Sequence, residues 1–214
     1  IYTAYNLYAR LPGADLPEQT IVIMAHKDSQ SWLPSPGAND NAVGTVGLLE
    51  LARALAGWQP RHTVTCLFCN EEHTPWTSVT AAQRLAAEGR AVLAAINLDG
   101  IGAQGDAGRA SGGWANVTRY TTPEGERLAD LAAALNARYS LGLAQSKAAV
   151  ERPADDEGSF IRAGFPAAIL HIGSWPYADE AYHQETDRAS RVHLDNAAAV
   201  VRLTIAMAAY LDGA

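Results

Sequence analysis

Cysteine is nearly absent from this sequence of 214 residues. Only Cys66 and Cys69 occur, so no disulfide framework can hold the fold. The two form CLFC, which has the spacing of a redox pair, but they sit in a strand-like run where positions three apart face opposite ways. A redox thiol wants a helix amino terminus to lower its pKa. These two read instead as small buried apolar residues. Basic residues are also scarce: 16 Lys and Arg against 23 Asp and Glu leave a formal charge of −7. That balance argues against a nucleic-acid backbone or an anionic membrane as the main partner. No apolar run reaches the roughly 18 residues expected of a membrane-spanning helix, and there is no internal repeat or long low-complexity tract. The sequence opens at Ile1 rather than Met, which points to a processed or trimmed amino terminus, and no signal peptide is visible in it.

What is present fits one globular domain over 1–214 with a substantial core, at 48% hydrophobic and 18% charged residues. Residues 5–12 and 19–25, joined by the turn-like ADLP, predict an opening hairpin. Val43, Val46, Leu48, Leu49, Leu51 and Leu55 then repeat at helical spacing, ended by Gly57 and Pro60. Further strands are predicted at 62–69, 91–98 and 165–172, and helices at 77–87, 124–139, 157–163 and 194–211. The Gly- and Ala-rich stretch 102–114 reads as a loop. Strands that alternate with helices imply a mostly parallel mixed sheet covered on both faces, a three-layer αβα sandwich of the α/β class.

Five potential metal ligands fall at or beyond the ends of the apolar runs: His26, Asp40, Glu72, Asp99 and His183. Open α/β sheets gather ligands at the carboxyl ends of their strands, so residues distant in sequence can meet there. Two imidazoles and three carboxylates suit zinc, although manganese or cobalt could substitute. Each residue has a plain alternative: His26 as a structural histidine, Asp40 as a helix cap, Asp99 as an Asp-Gly turn, His183 as a loop residue. Asp28, two places after His26, has the polarity to fix the ring tautomer. Adjacent acids at Glu71 and Glu72 would repel each other and resist burial without nearby cations. If one coordinates metal, the other is left to take a proton.

In this order the segments H-x-D (26–28), G-A-N-D-N (37–41), N-E-E (70–72), N-L-D (97–99) and Y-H-x-x-x-D (182–187) resemble the co-catalytic di-zinc aminopeptidases. That group includes the bacterial leucyl aminopeptidases and, as relatives, the glutaminyl cyclases. The resemblance implies the zinc-exopeptidase, phosphorylase/hydrolase-like fold and two zinc ions per chain. His26 and Asp99 would hold one ion, Glu72 and His183 the other, with Asp40 between them. It also implies Glu71 as general base, Tyr182 as a hydrogen-bond donor to the oxyanion, and a cis peptide at Asp40-Asn41. The sequence departs from the group at HTPWTS (73–78), which replaces a common Gly-Leu, and in an amino-terminal helical segment that is missing or lies upstream of Ile1.

The expected activity is therefore hydrolysis of the N-terminal peptide bond of a peptide with a free amino terminus, by a metal-bridged water with a glutamate base. Trp32, Trp76, Trp175 and Tyr177 lie in loops on the presumed active edge and could form a pocket for the first side chain. Asp155, Asp156 and Glu157 could meet the substrate amine at the rim, with a solvated acidic loop as the alternative. His73 and His171 have no assigned role. Glutaminyl cyclisation is the competing activity, since 155–172 and Trp76 resemble the cyclases; a catalytically silent domain of the same fold is the other. The resemblance favours a secreted or periplasmic location over a cytoplasmic one. No oligomeric state follows from the sequence.

Overall fold

The structure is a computed structural model, and it describes residues 3, 5–29, 33–70 and 76–213. Its centre is one seven-stranded sheet. The strands are β1 (Leu7–Leu11), β2 (Leu16–His26), β3 (His62–Cys69), β4 (Ala91–Leu98), β5 (Trp114–Tyr120), β6 (Leu143–Ala149) and β7 (Ala168–Ile172). They lie in the order β1-β3-β2-β4-β7-β5-β6. Pairs β2/β3, β2/β4, β4/β7 and β5/β6 are parallel, while β1/β3 and β5/β7 are antiparallel.

The middle strands are apolar on both sides because both faces are covered. Ile21 and Ile23 of β2, with Ile96 and Leu98 of β4, pack beneath α1 (Val43–Ala54), α4 (Pro123–Tyr139) and α6 (Leu194–Gly213). Val22 and Met24 face the other way, against α2 (Ser78–Ala87) and α5 (Asp155–Arg162), where Leu85 and Phe160 close the layer. This is the expected αβα sandwich. Helix α4 starts where the sequence dictates: the Thr122 hydroxyl accepts from the Gly125 amide at 3.0 Å, and Pro123 follows at the first helical position.

Four expectations need correction. The opening hairpin does not form, because β3 inserts between β1 and β2. All eight residues of β3 are buried and need a neighbour on either side, whereas β1 is largely exposed and suits the edge. Strands β5 and β6 were not anticipated. WANVTRY mixes buried polar with apolar residues, and LAQSKAA has no β-branched residue, so their pairing comes from tertiary context. The stretch read as a loop contains a short helix, α3 (Asp106–Ser111), stopped by Gly112 in the left-handed region. Finally, α6 is 20 residues long and its most apolar window has a mean hydropathy of 1.3, enough by length and composition to cross a membrane. Within the fold it is a core helix: Val200, Leu203 and Met207 are fully buried against α1 and the sheet.

Candidate metal centre

The carboxyl ends of β2 and β4 lie side by side, and each delivers one polar group. His26 is the last residue of β2 and is 1% exposed; its carbonyl accepts from the Thr45 hydroxyl at 2.8 Å. Asp99 follows β4, with its amide held by the His171 carbonyl at 3.1 Å. Asp40 comes from the irregular turn Ala38–Ala42 that leads into α1. The Asp40-Asn41 peptide is cis, as the resemblance implied.

Asn41 locks this corner together. Its side chain donates to the Leu98 carbonyl at 2.8 Å and accepts from the amides of Gly44 and Gly100 at 3.0 and 3.2 Å. Gly44 must be glycine for this approach, since a Cβ there would lie 2.3 Å from both the Asn41 side-chain oxygen and the Leu98 carbonyl.

The side chains converge. His26 Nε2 lies 3.2 Å from Asp40 Oδ1 and 3.5 Å from Asp99 Oδ1. His183 Nε2 lies 2.9 Å from Asp40 Oδ2. The Asp40 carboxylate thus turns one oxygen to each histidine. Ligand atoms of His26, Asp40 and Asp99 all fall within 4.8 Å of one another. On its other side, His26 Nδ1 is 3.3 Å from Asp28 Oδ1, a carboxylate placed to accept a hydrogen bond from the Nδ1 proton so that Nε2 faces Asp40 and Asp99.

Electrostatics explain why such a cluster suits a cation. Burial opposes a charge on His26, yet the carboxylates of Asp99, Asp28 and Asp40 outweigh it and hold the pKa well above the ordinary value. Burial likewise works against the Asp40 carboxylate, but His183 and His26 overcome it and hold that pKa far below the usual range. The buried His26 Nε2 makes no hydrogen bond of acceptable angle among the described residues. An orphaned imidazole nitrogen facing two carboxylates is a nitrogen/oxygen donor set that fits a zinc-like ion.

Other sequence expectations fall variously. Glu71, Glu72, His73 and Trp32 lie outside the described residues. Tyr182 stacks between Tyr177 and His183, with ring centroids 4.3 and 4.0 Å apart. It lines a small cleft with Asp40, Asp99, Ala103, Ile172 and Tyr177. Trp175 meets Tyr177 edge-on at 5.0 Å and lies over the Arg119 guanidinium. Trp76 has Arg162 over its ring and is not among the cleft residues.

The acidic trio is not a solvated loop. It opens α5, where Arg119 pairs with Asp155 and, at 2.7 Å, with Glu157. Asp156 has no exposed surface, so it does not stand at an open rim; burial pushes its pKa up to about 7. His171 is buried beside Asn116 and Thr118, and burial pushes it down to about 3. Cys66 and Cys69 belong to opposite core faces, and burial pushes Cys66 up to about 11 and Cys69 well above its ordinary value. Neither is a reactive thiol. Sequence reasoning missed Ala103 and Ile172, whose only signal was their closeness to Asp99 and His171.

The chain is similar to several known proteins. A probable aminopeptidase of Saccharomyces cerevisiae is 27% identical over 213 residues, covering 94% of this chain and 55% of its own length. The chain thus spans about half of that relative. Among solved structures, a zinc aminopeptidase from Bacillus subtilis matches with a TM-score of 0.71 at 19% identity, over 96% of this chain and 49% of that one. A glutaminyl cyclase from an Acidobacteriales bacterium matches at 0.75 and 18% identity, over 98% of this chain and 74% of that one. At such identities the two structures speak for the fold alone. The model of peptidase family M28 matches residues 6–208, which takes in every strand and places His26, Asp40, Asp99 and His183 within the match: this chain belongs to peptidase family M28.

Proposed function

We propose that this chain is the catalytic domain of a zinc-dependent aminopeptidase that removes the first residue from peptides with a free amino terminus. The observation that carries the reading is the Asp40 carboxylate, set between the Nε2 atoms of His26 and His183 at 3.2 and 2.9 Å. In this reading His26 and Asp99 would hold one zinc ion, Glu72 and His183 a second, and Asp40 would contribute to both. Bound there, zinc supplies Lewis acidity that polarises a carbonyl and makes water a stronger acid.

The chain's own groups do the rest. Glu71 accepts the proton of the attacking water as the new C–O bond forms, then returns it to the nitrogen of the leaving amine as the peptide C–N bond breaks. The Tyr182 hydroxyl donates to the carbonyl oxygen as that atom gains negative charge. A small cleft walled by Ala103, Ile172 and Tyr177 lies directly beside Asp40 and Asp99. Asp28 keeps the His26 ring in the tautomer that presents Nε2.

Metal analysis with an aminoacyl-anilide panel tests this. Wild type should carry two zinc ions and cleave the anilides. Glu71→Gln should retain the metal and lose 10²–10⁴-fold in kcat. An unchanged rate would remove Glu71 from the mechanism. The fold likeness to a cyclase supplies the second reading, and it prevails if N-terminal glutamine is cyclised while the anilides stay intact.

A further inference from the structure

Asp187 holds three consecutive amides of the segment that carries Asp40. Its carbonyl accepts from Ala38 at 3.3 Å, its Oδ1 from Asn39 at 2.8 Å and its Oδ2 from Asp40 at 3.1 Å. The residue is fully buried. Both carboxylate oxygens are occupied by backbone donors, so Asp187 is not offered as a ligand itself.

The same residue belongs to the turn that carries His183. The Asp187 amide donates to Gln184 at 3.0 Å, and Gln184 to Ala181 at 2.9 Å. His183 sits in that turn at φ 57, in the left-handed region. A second clasp joins the two segments: the Asn39 side chain donates to Asp179 Oδ2 at 2.9 Å, while Asp179 Oδ1 accepts from the Ala181 amide at 2.9 Å.

We propose that Asp187, assisted by Asp179, is a positioning residue that fixes Asp40 against His183 and so sets the aim of the carboxylate shared between the two metal ions. The physical reason is geometric. The Asp40 carboxylate reaches both histidines only if its main chain is fixed relative to β2 and to the His183 turn. Asn41 secures it to β4 and α1, and the Asp187 and Asp179 contacts tie it to the turn. Groups that orient a ligand without touching the ion typically contribute 10–100-fold in metal affinity.

This inference rests on the proposed metal centre, and its test separates the two. Metal-free protein is titrated with Co²⁺, followed by calorimetry and by the visible absorption of the bound ion. Wild type should bind two equivalents; if it binds none, the metal centre itself fails. Asp187→Asn leaves one acceptor oxygen for two amides and should weaken the second equivalent 10–100-fold and alter the absorption bands. The matched control is Asp212→Asn. Asp212 is also buried and also accepts from two consecutive amides, Arg61 at 3.0 Å and His62 at 2.8 Å, at the opposite end of β3.

Asp212→Asn should lower Tm while titrating with Co²⁺ as wild type does. The proposal is overturned if folded Asp187→Asn titrates and absorbs like wild type, or if Asp212→Asn loses cobalt equally. Should Asp187→Asn fail to fold, Asp179→Asn, which weakens the Asn39 clasp and the Arg191 pair but leaves the Asn39 and Asp40 amides on Asp187, must show a smaller loss in the same direction. Its absence also overturns the proposal.

Discussion

Asn41 shows how much a single side chain can carry. It is fully buried and makes three hydrogen bonds to main-chain groups of β4, the turn after it and the start of α1. At about 1 kcal/mol for each buried hydrogen bond, with the partners left unsatisfied, Asn41→Ala should cost about 2–4 kcal/mol in urea unfolding. A loss below 1 kcal/mol would mean that the corner is held by other contacts. The ligand candidates were legible residue by residue because strand ends can be read from apolar runs: His26, Asp40, Asp99 and His183 do converge. Asp179 was not, since its closeness to Asp40 depends on the path of the 173–193 loop, which no local pattern encodes. Asp155, Asp156 and Glu157 misled for the opposite reason. Three acids in a row look solvated until Arg119, far away on β5, is known to pair with two of them.

Among the elements, those buried on both faces were the easiest to read. Strands β2, β3 and β4 announce themselves as apolar runs, and α6 by its length. Pairing was harder. β1 and β2 are close in sequence and turn-linked, yet β3 separates them, because burial of β3 on both flanks outweighs the short hairpin connection. Edge strand β6 lacks any period of its own and forms by pairing with β5. Helix α6 illustrates an element whose composition misrepresents its place. Leu203 is fully buried under α1 and the sheet, so Leu203→Ala should lower stability by about 2–5 kcal/mol, read from the urea midpoint. A near-neutral effect would mean that this face of the helix is not packed as described.

For the molecule as a whole, the fully buried His171 sets an acid limit. Burial holds its pKa at about 3 against an ordinary 6.5, so below pH 6.5 the unfolded chain binds a proton that the folded chain refuses. Its contribution is neutral above pH 6.5, and stability falls as the pH drops from 6.5 toward 3. The slope is about 1.4 kcal/mol per pH unit. Asp156 titrates in part of the same range with opposite sign, so the difference between wild type and His171→Asn is the quantity to follow. That difference should shift against wild type by several kcal/mol from pH 6.5 to pH 3.5; a flat difference would show that the buried ring accepts a proton after all.

The clasp between Asp187 and the Asn39–Asp40 amides spans 148 and 147 positions of sequence. During synthesis the front half of the centre therefore leaves the ribosome long before the residue that aims it. A nascent chain must add a further 147 residues after Asp40 before the segment around residue 187 can emerge and dock, and only then does the centre acquire its final shape.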